Sequence, residues 1–121
     1  MELIKSLTPD FVFADDRGLL VQICRDGYRQ INAVFTKKGA VRGNLHYHKY
    51  TKEAFFILSG RVLVIAEKDG VTEEKTFQTG DMFLIGEYVR HTFVYLEDTS
   101  LVGLYTSGVE LPDGTKDIYT D

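Results

Sequence analysis

The sequence of 121 residues has no tryptophan, only two prolines and a single cysteine, Cys24. One cysteine cannot form a disulfide within the chain, and residues 1–5 lack the charged and then apolar pattern of a secretory signal peptide. The apolar runs are far shorter than the roughly 20 residues that a helix needs to cross a bilayer. These absences predict a cytoplasmic protein without a membrane partner.

An excess of basic residues is also missing. The chain has 14 Lys and Arg against 18 Asp and Glu, a net charge of −4, and no basic run, so nucleic acid is excluded as the main partner. Hydrophobic residues make up 44% and charged residues 26%, which excludes disordered chains, collagen-like fibres and coiled coils. The length predicts one domain over residues 1–121.

What the chain does contain indicates β-structure. It has 8 Phe, 7 Tyr and 11 Gly, and no long stretch keeps apolar residues at helical spacing. Turn signals such as Ser59-Gly60 and Asp69-Gly70 separate short apolar runs. We predict an all-β fold with strands at Leu19–Arg25, Ile31–Thr36, Ala54–Leu58, Arg61–Lys68, Glu73–Gln78, Met82–Ile85, His91–Leu96 and Leu101–Thr106.

The residues with the most informative chemistry lie between positions 42 and 53. Side chains alternate along a strand, so His46 and His48 would project from the same face. After a turn of four residues, Glu53 opens the next strand, and a third histidine, His91, begins another apolar strand. Three imidazoles and one carboxylate suit Zn, Fe, Mn, Ni or Co better than Ca or Mg. We predict that these four side chains converge on one divalent metal at distances of about 2.0 to 2.3 Å.

The spacing His46-x-His48-x4-Glu53-x6-Gly60 resembles the first motif of the cupin superfamily. Gly80 and His91 fall at positions of the second cupin motif, in which Gly86, Tyr88 and Tyr95 replace the usual proline, glycine and asparagine. The resemblance implies a double-stranded β-helix, a cupin jelly-roll barrel, with its metal site near one mouth. The barrel core would cover about residues 39–106, between an N-terminal strand segment over 1–38 and a C-terminal tail over 107–121.

A finer resemblance points to cupins that act on nucleotide-linked sugars. The runs Phe13-x-Asp15-x-Arg17-Gly18 and Arg42-Gly43-x-x-His46-Tyr47 look like the opening of keto-sugar epimerases, of 3,4-ketoisomerases and of the cupin domain of capsular-polysaccharide reductases. Rhamnose-pathway epimerases have Gln at the position of His48 and work without metal. The chain is more similar to the capsular type, from whose Gly-Asn-His-x-His-x4-Glu run it differs by the insertion of Leu45.

The resemblance implies an epimerase or isomerase of a nucleotide-linked keto sugar in surface-polysaccharide biosynthesis. Such a reaction needs a base, an acid and a positive group beside the enolate oxygen. His46 is either the base or a metal ligand, because one lone pair cannot do both. Tyr95 and Tyr105 are the candidate acids. The cations Arg17, Arg42 and Lys49 are candidates for binding the diphosphate of the substrate.

Alternatives remain open for most of these features. Residues 15–18 also fit an ordinary hairpin turn, Arg42 a rim ion pair, Lys49 a solvated loop charge and the tyrosines plain core positions. The same four ligands also suit an Fe(II) dioxygenase acting on a small organic substrate, or a cupin that binds a sugar or another ligand without turnover. Since single-domain cupins commonly pair through exposed strand edges, we predict a homodimer.

Overall fold

Eleven strands and no helix are found within residues 2–120, the part of the chain that the computed structural model describes. The segments not in strands are turns and short connections. No helix in this part of the chain is therefore long and apolar enough to span a membrane. The strands are β1 (Ile4–Leu7), β2 (Phe11–Asp15), β3 (Gly18–Gln22), β4 (Gln30–Thr36), β5 (Val41–His46), β6 (Glu53–Ser59), β7 (Arg61–Lys68), β8 (Val71–Gln78), β9 (Met82–Ile85), β10 (Arg90–Tyr95) and β11 (Thr99–Tyr105).

All strand pairs are antiparallel and form two main sheets. The five-stranded sheet has the order β1-β9-β6-β11-β4, and the four-stranded sheet has the order β5-β10-β7-β8. Strands β2 and β3 form a separate hairpin. The predicted all-β jelly-roll architecture is confirmed.

The eight predicted strands are all present, two of them, β7 and β9, with the predicted bounds. The largest boundary error is at β3, which ends at Gln22 rather than at Arg25. Strands β1 and β2 were not among the predicted strands, and β5 was expected only as the strand that carries His46 and His48. Side chains of β2 are exposed along both faces, so this strand has no alternation of buried and exposed positions that a sequence pattern could reveal.

The main core lies between the two sheets, because its apolar cluster combines residues of the five-stranded sheet, such as Ile57 of β6, with residues of the four-stranded sheet, such as Val64 of β7. Phe83 of β9 is fully buried at its centre, with ring centroids of Phe77 and Phe55 at 4.1 and 5.2 Å. Offset aromatic packing of this kind fixes the distance between the sheets. The rigid sandwich places the starts of β6 and β10 and the end of β5 at one end of the barrel.

A second apolar cluster covers the outer face of the five-stranded sheet, and it includes Phe56 and Met82. Residues of segment 21–28, among them Val21 at the end of β3, pack against it, whereas most of the β2–β3 hairpin is exposed. Five apolar side chains of this hairpin keep 48% to 67% of their surface exposed: Phe11, Val12, Phe13, Leu19 and Leu20. No part of the described chain covers these side chains. An isolated two-stranded hairpin is only marginally stable in water.

Candidate metal centre

Four side chains meet at one end of the barrel. His46 ends β5, Glu53 begins β6, His91 is the second residue of β10, and His48 lies in the connection between β5 and β6. One nitrogen of each histidine and one oxygen of Glu53 lie within 4.8 Å of one another. His48, Glu53 and His91 are buried, and His46 is partly exposed. The structure thus brings together the four residues predicted as ligands.

A wide bulge in β5 sets the position of His46. Arg42 pairs with Phe93 and His46 with His91, so three residues of β5 oppose the single residue Thr92 of β10. The three residues of the bulge, two more than the partner strand has there, are Gly43, Asn44 and Leu45; all have positive φ, and the Leu45 amide donates to Thr92 Oγ1 at 2.7 Å. A bulge re-aims the side chain that follows it. The residue inserted relative to the capsular-type run is accommodated here.

The expectation that His46 and His48 lie on one regular strand is wrong in its detail. Strand β5 ends at His46, and Tyr47 forms an isolated bridge with Tyr119 near the C-terminus. The two imidazoles still reach the same cluster, with ring centroids 5.1 Å apart. The residue between the two histidines is therefore paired with the C-terminal tail and not with a further strand of the sheet.

Backbone carbonyls determine which nitrogen of each buried imidazole faces the cluster. His48 Nδ1 hydrogen bonds to the Asp117 carbonyl, and His91 Nδ1 to the Val89 carbonyl at 3.0 Å. A carbonyl only accepts, so both Nδ1 atoms carry protons and both Nε2 atoms face Glu53 Oε1, at 2.8 and 3.2 Å. Histidines that bind metals are oriented by this kind of outer hydrogen bond.

Two buried atoms at the centre of the cluster have no hydrogen-bond partner within residues 2–120. They are His48 Nε2 and Glu53 Oε1, which lie 2.8 Å apart but form no hydrogen bond, because a neutral His48 with its proton on Nδ1 presents a lone pair to the carboxylate. Leaving buried polar atoms unpaired is costly, and a cation bound to both would satisfy them. The donor set therefore fits a divalent transition metal better than it fits a purely structural role.

The electrostatics of the cluster favour a neutral His46 and an ionised Glu53. Burial, and then the neighbouring His91 and His48, lower the pKa of His46 to about 4. Burial opposes ionisation of Glu53, but the adjacent imidazoles of His48 and His91 lower its pKa to about 2. Although burial disfavours the charged ring, the Glu53 carboxylate and the Asp117 carbonyl raise the pKa of His48. A carboxylate and a neutral imidazole are the forms that bind metals.

Two cavities adjoin the cluster, and His46, Glu53 and Tyr105 line both of them. The inner cavity, of about 120 Å³, is mostly apolar and lies within the barrel. The outer cavity, of about 270 Å³, opens beside the C-terminal segment. The inner cavity is also lined by Val34, Arg42, Gly43, Phe55, His91, Phe93, Tyr95 and Leu101, and the outer one by Gln30, Asn32, His48, Val109, Glu110, Lys116 and Ile118.

Three more of the predicted site residues, Arg42, Tyr95 and Tyr105, line the inner cavity. Arg42 donates from Nε to Thr36 Oγ1 at 2.8 Å, which orients its guanidinium. Burial raises the pKa of Tyr95, and burial and then Glu53 raise that of Tyr105 to about 12. Both phenols therefore stay protonated at neutral pH.

The structure does not bring Arg17 and Lys49 to these cavities. The guanidinium of Arg17, 83% exposed, pairs with Asp15 in the turn of the β2–β3 hairpin, as the plainer interpretation of residues 15–18 expected. The ammonium of Lys49 lies 4.3 Å from the ring centroid of Tyr119 on the outer surface. Arg17 was predicted from the resemblance of residues 13–18 and from its guanidinium, and Lys49 from its charge; in the structure the partners of these side chains are Asp15 and Tyr119.

Sequence reasoning missed the part of the site that the C-terminus supplies. Asp117 is fully buried, and Glu110, Lys116 and Ile118 line the outer cavity. Gln30 and Asn32 of β4 line it from the other side. No pattern in the polar tail marks these residues. A single aspartate far from the histidines gives no spacing signal, because only the tertiary fold places it there.

Comparisons with known proteins agree with the geometry. Residues 34–106 match the protein-family model described as a cupin domain. No curated protein matches the chain by sequence. Similar solved structures include the sugar 3,4-ketoisomerase QdtA from Thermoanaerobacterium thermosaccharolyticum in complex with TDP, 17% identical over 98% of this chain and 88% of that one, with a TM-score of 0.81.

Two further structures are similar over most of their length. The TDP-quinovose 3,4-ketoisomerase WlaRB from Campylobacter jejuni is 17% identical over 97% of this chain and 94% of that one, with a TM-score of 0.80. The dTDP-4-dehydrorhamnose 3,5-epimerase from Sulfolobus tokodaii is 26% identical over 92% of this chain and 74% of that one, with a TM-score of 0.75.

Proposed function

The chain belongs to the cupin domain family, and from that premise we propose that it is a metal-binding enzyme that epimerises or isomerises a nucleotide-linked keto sugar. The proposal includes a place in surface-polysaccharide biosynthesis. The main support for a bound metal is that the Nε2 atoms of His48 and His91 converge on one oxygen of Glu53. In both rings the proton is on Nδ1, which leaves the Nε2 lone pair available for a metal. The substrate class is supported by the printed activities of the structural relatives.

His46, His48, Glu53 and His91 would hold the metal. When bound there, a divalent metal supplies a Lewis acid that polarises a substrate carbonyl. The chain's own residues orient the sugar and exclude water, because the inner cavity behind the cluster is walled by apolar side chains such as Phe55, Phe93 and Leu101.

Tyr105 and Arg42 are suited to stabilise the enolate oxygen that forms when a proton leaves the carbon beside a ketone. The Tyr105 hydroxyl interacts with Asn32 and Glu53, and its pKa of about 12 keeps its proton available for donation. Arg42 brings a fixed positive charge to the same cavity. Donors and charges that are oriented before the reaction lower its barrier. Tyr95 is the second candidate acid on this wall.

His46 is the residue on which the two mechanisms differ. If it binds the metal, the base is another residue; if it binds none, its neutral imidazole, with a pKa of about 4, is free to accept a proton. A change at His48 distinguishes the two mechanisms. His48 lines only the outer of the two cavities and its Nδ1 donates to the Asp117 carbonyl, so its loss should remove the metal without removing a base from the inner cavity.

The test combines elemental analysis of protein purified without a histidine tag with solvent deuterium exchange into dTDP-4-keto-6-deoxyglucose. In the wild type we expect about one transition-metal ion per chain and exchange of deuterium into the sugar. Both His46→Ala and His48→Ala should lose the metal and the exchange. Exchange that survives in His48→Ala but not in His46→Ala would support the metal-free base. Wild-type protein that takes up no deuterium into the sugar would contradict the isomerase.

One observation favours a second candidate, an Fe(II) dioxygenase. The inner cavity is mainly apolar and small, about 120 Å³, which suits a small organic substrate next to the cluster. Oxygen consumption by the Fe(II)-loaded protein with small organic acids or thiols, without exchange into keto sugars, would favour this candidate. Tight ligand binding without turnover of any kind would leave a binding module.

We also infer a homodimer, supported by the exposed apolar side chains of the β2–β3 hairpin. The hairpin has little packing of its own, and the outer face of the edge strand β4 presents Ile31 at 65% and Phe35 at 70% exposure. Burying such patches between two copies is favourable. Light scattering should give twice the chain mass, and Phe13→Asp in the hairpin should give a folded monomer. A wild-type mass of a single chain would contradict this inference.

A further inference from the structure

The C-terminal segment over residues 109–120, here called the C-terminal strap, folds back onto the candidate metal centre. Its own hairpin is held by hydrogen bonds from the Asp117 amide to the Val109 carbonyl at 2.7 Å and from the Leu111 amide to the Thr115 carbonyl at 2.8 Å. Tyr119 and Tyr47 exchange two backbone hydrogen bonds, at 2.9 and 3.0 Å. The strap is therefore paired with the residue that lies between His46 and His48.

Asp117 connects the strap to the loop that carries His48. Its carboxylate accepts hydrogen bonds from the amides of Lys49 at 2.8 Å and Tyr50 at 3.0 Å and from Thr51 Oγ1 at 2.9 Å. Its backbone carbonyl accepts the hydrogen bond from His48 Nδ1. One fully buried residue thus holds the loop from His48 to Thr51 and also determines the orientation of the His48 ring.

The contacts of the strap are concentrated at this loop rather than in the main core. Neither of the two apolar clusters contains a residue of the strap, as far as the described chain is concerned. The Lys49 ammonium of this loop also covers the Tyr119 ring, and outside the loop the Tyr47 and Tyr119 rings pack with centroids 5.4 Å apart. The Val109 amide donates to Gln30 Oε1 of β4 at 3.1 Å. Losing the strap contacts should therefore disturb the metal centre more than the stability of the barrel.

We propose that Asp117 is a positioning residue for the metal centre, which it prepares by fixing the ring of His48 and the loop that follows it. The inference rests on the proposed metal site. Outer hydrogen-bond partners of metal-binding histidines typically account for about 10- to 100-fold in metal affinity. Replacing Asp117 by alanine keeps the backbone carbonyl that accepts from His48 Nδ1 but removes the three hydrogen bonds by which the carboxylate holds the strap against the loop. Without them the carbonyl is no longer held opposite the His48 ring, so we expect the loss of affinity to fall within that range.

The test is a Co²⁺ titration of the full-length protein, followed by the visible absorption of the bound ion. Asp117→Ala should weaken Co²⁺ binding about 10- to 100-fold and alter the spectrum. Asp117→Asn should lie between Asp117→Ala and the wild type, because an amide oxygen can still accept two of the three loop hydrogen bonds. The matched control is Asp113→Ala in the strap turn, where the carboxylate bonds only to Thr115 and the affinity should not change.

A second readout follows the ring of His48 directly. In Zn²⁺-loaded wild-type protein the Nδ1 proton of His48 should give a downfield proton resonance protected from solvent exchange, and Asp117→Ala should lose that protection. Thermal unfolding in the presence of EDTA checks that the variants are folded. If Asp117→Ala proves unfolded, Asp117→Asn carries the comparison.

The outcomes separate the strap from the metal site itself. If addition of the wild-type protein does not change the visible spectrum of Co²⁺, the metal centre on which the inference rests is refuted. Wild-type binding together with unchanged affinity and a protected His48 proton in Asp117→Ala would refute the positioning role alone. An equal loss of affinity in Asp113→Ala would also refute it, because the effect would then belong to the tail in general.

Discussion

Replacing Gly43 by alanine tests whether the bulge in β5 determines the geometry of the metal centre. Gly43 has φ of +102°, and a Cβ atom there would lie 2.7 Å from the carbonyl oxygen of His91 and 3.2 Å from Cα of Thr92. Ordinary contact begins near 3.4 Å, so the backbone of His91 must move by about half an ångström or more. That displacement acts on a residue whose side chain is a candidate ligand.

Gly39 provides a matched control for this substitution. It has φ of +88°, and a Cβ there would meet nothing within 4 Å. Both changes place alanine in a backbone conformation that costs about 1 to 2 kcal/mol, and both alter the unfolded chain in the same way. Only Gly43→Ala adds an overpacking cost, about 1 to 3 kcal/mol. We expect Gly43→Ala to lower the free energy of unfolding by about 2 to 5 kcal/mol and Gly39→Ala to lower it by about 1 to 2 kcal/mol.

Urea denaturation in EDTA measures the two stability losses, and Co²⁺ titration measures the metal affinity of each variant. A domain of this size is typically stable by about 5 to 15 kcal/mol, so most of the Gly43→Ala protein should remain folded. Its Co²⁺ affinity should fall at least about tenfold, because a ligand displaced in this way no longer meets the others. Equal stability and equal affinity in the two variants would refute the link between the bulge and the centre.

Three further predictions concern the core, the acid side of the cluster and catalysis. Phe83→Ala should lower the free energy of unfolding in urea by about 3 to 5 kcal/mol, whereas Val71→Ala, at an exposed side chain at the start of β8, should change it by less than about 1 kcal/mol. Burial opposes ionisation of Glu53, but the adjacent imidazoles lower its folded pKa to about 2 from 4.5. The ionised Glu53 thus contributes to stability above pH 4.5, and this contribution is lost as the pH falls towards 2. Urea denaturation in EDTA should show that the free energy of unfolding falls less between pH 6 and pH 3 in Glu53→Gln than in wild type. Tyr105→Phe should reduce kcat of the deuterium-exchange reaction about 100- to 1000-fold with little change in stability, and an unchanged kcat would remove Tyr105 from the reaction.

The sequence predicts the parts of the fold and the site that depend on short spacings. Strands β7 and β9 have the predicted bounds because compact turn signals flank them and their residues pack into the core. The residues His46, His48 and Glu53 lie within eight positions of one another, so local geometry nearly suffices to bring them together. The placement of His91 beside them depends on the pairing of β10 with β5, which the resemblance to the cupin motifs supplied.

What the sequence does not predict depends on contacts between distant segments. Strand β1 pairs with β9, and the Leu3 and Ile4 amides donate to the Glu73 carboxylate some 70 positions away. Asp117 meets its loop across a comparable separation of 66 to 68 positions. The charges of Arg17 and Lys49 are equally compatible with a pocket and with the surface, and only the folded backbone decides between these.

The hydrogen bonds around His48 explain why its side chain is both costly to bury and useful as a ligand. Its Nδ1 must donate to the Asp117 carbonyl, so its Nε2 faces the Glu53 carboxylate either with a lone pair or with a second proton. The lone pair beside a carboxylate is repelled, which is why the pKa of His48 is raised although burial opposes the charged ring. A proton and a divalent metal therefore compete for the same position between two buried atoms. Because both relieve the same unpaired charge, metal affinity at this centre must rise with pH as the proton is lost.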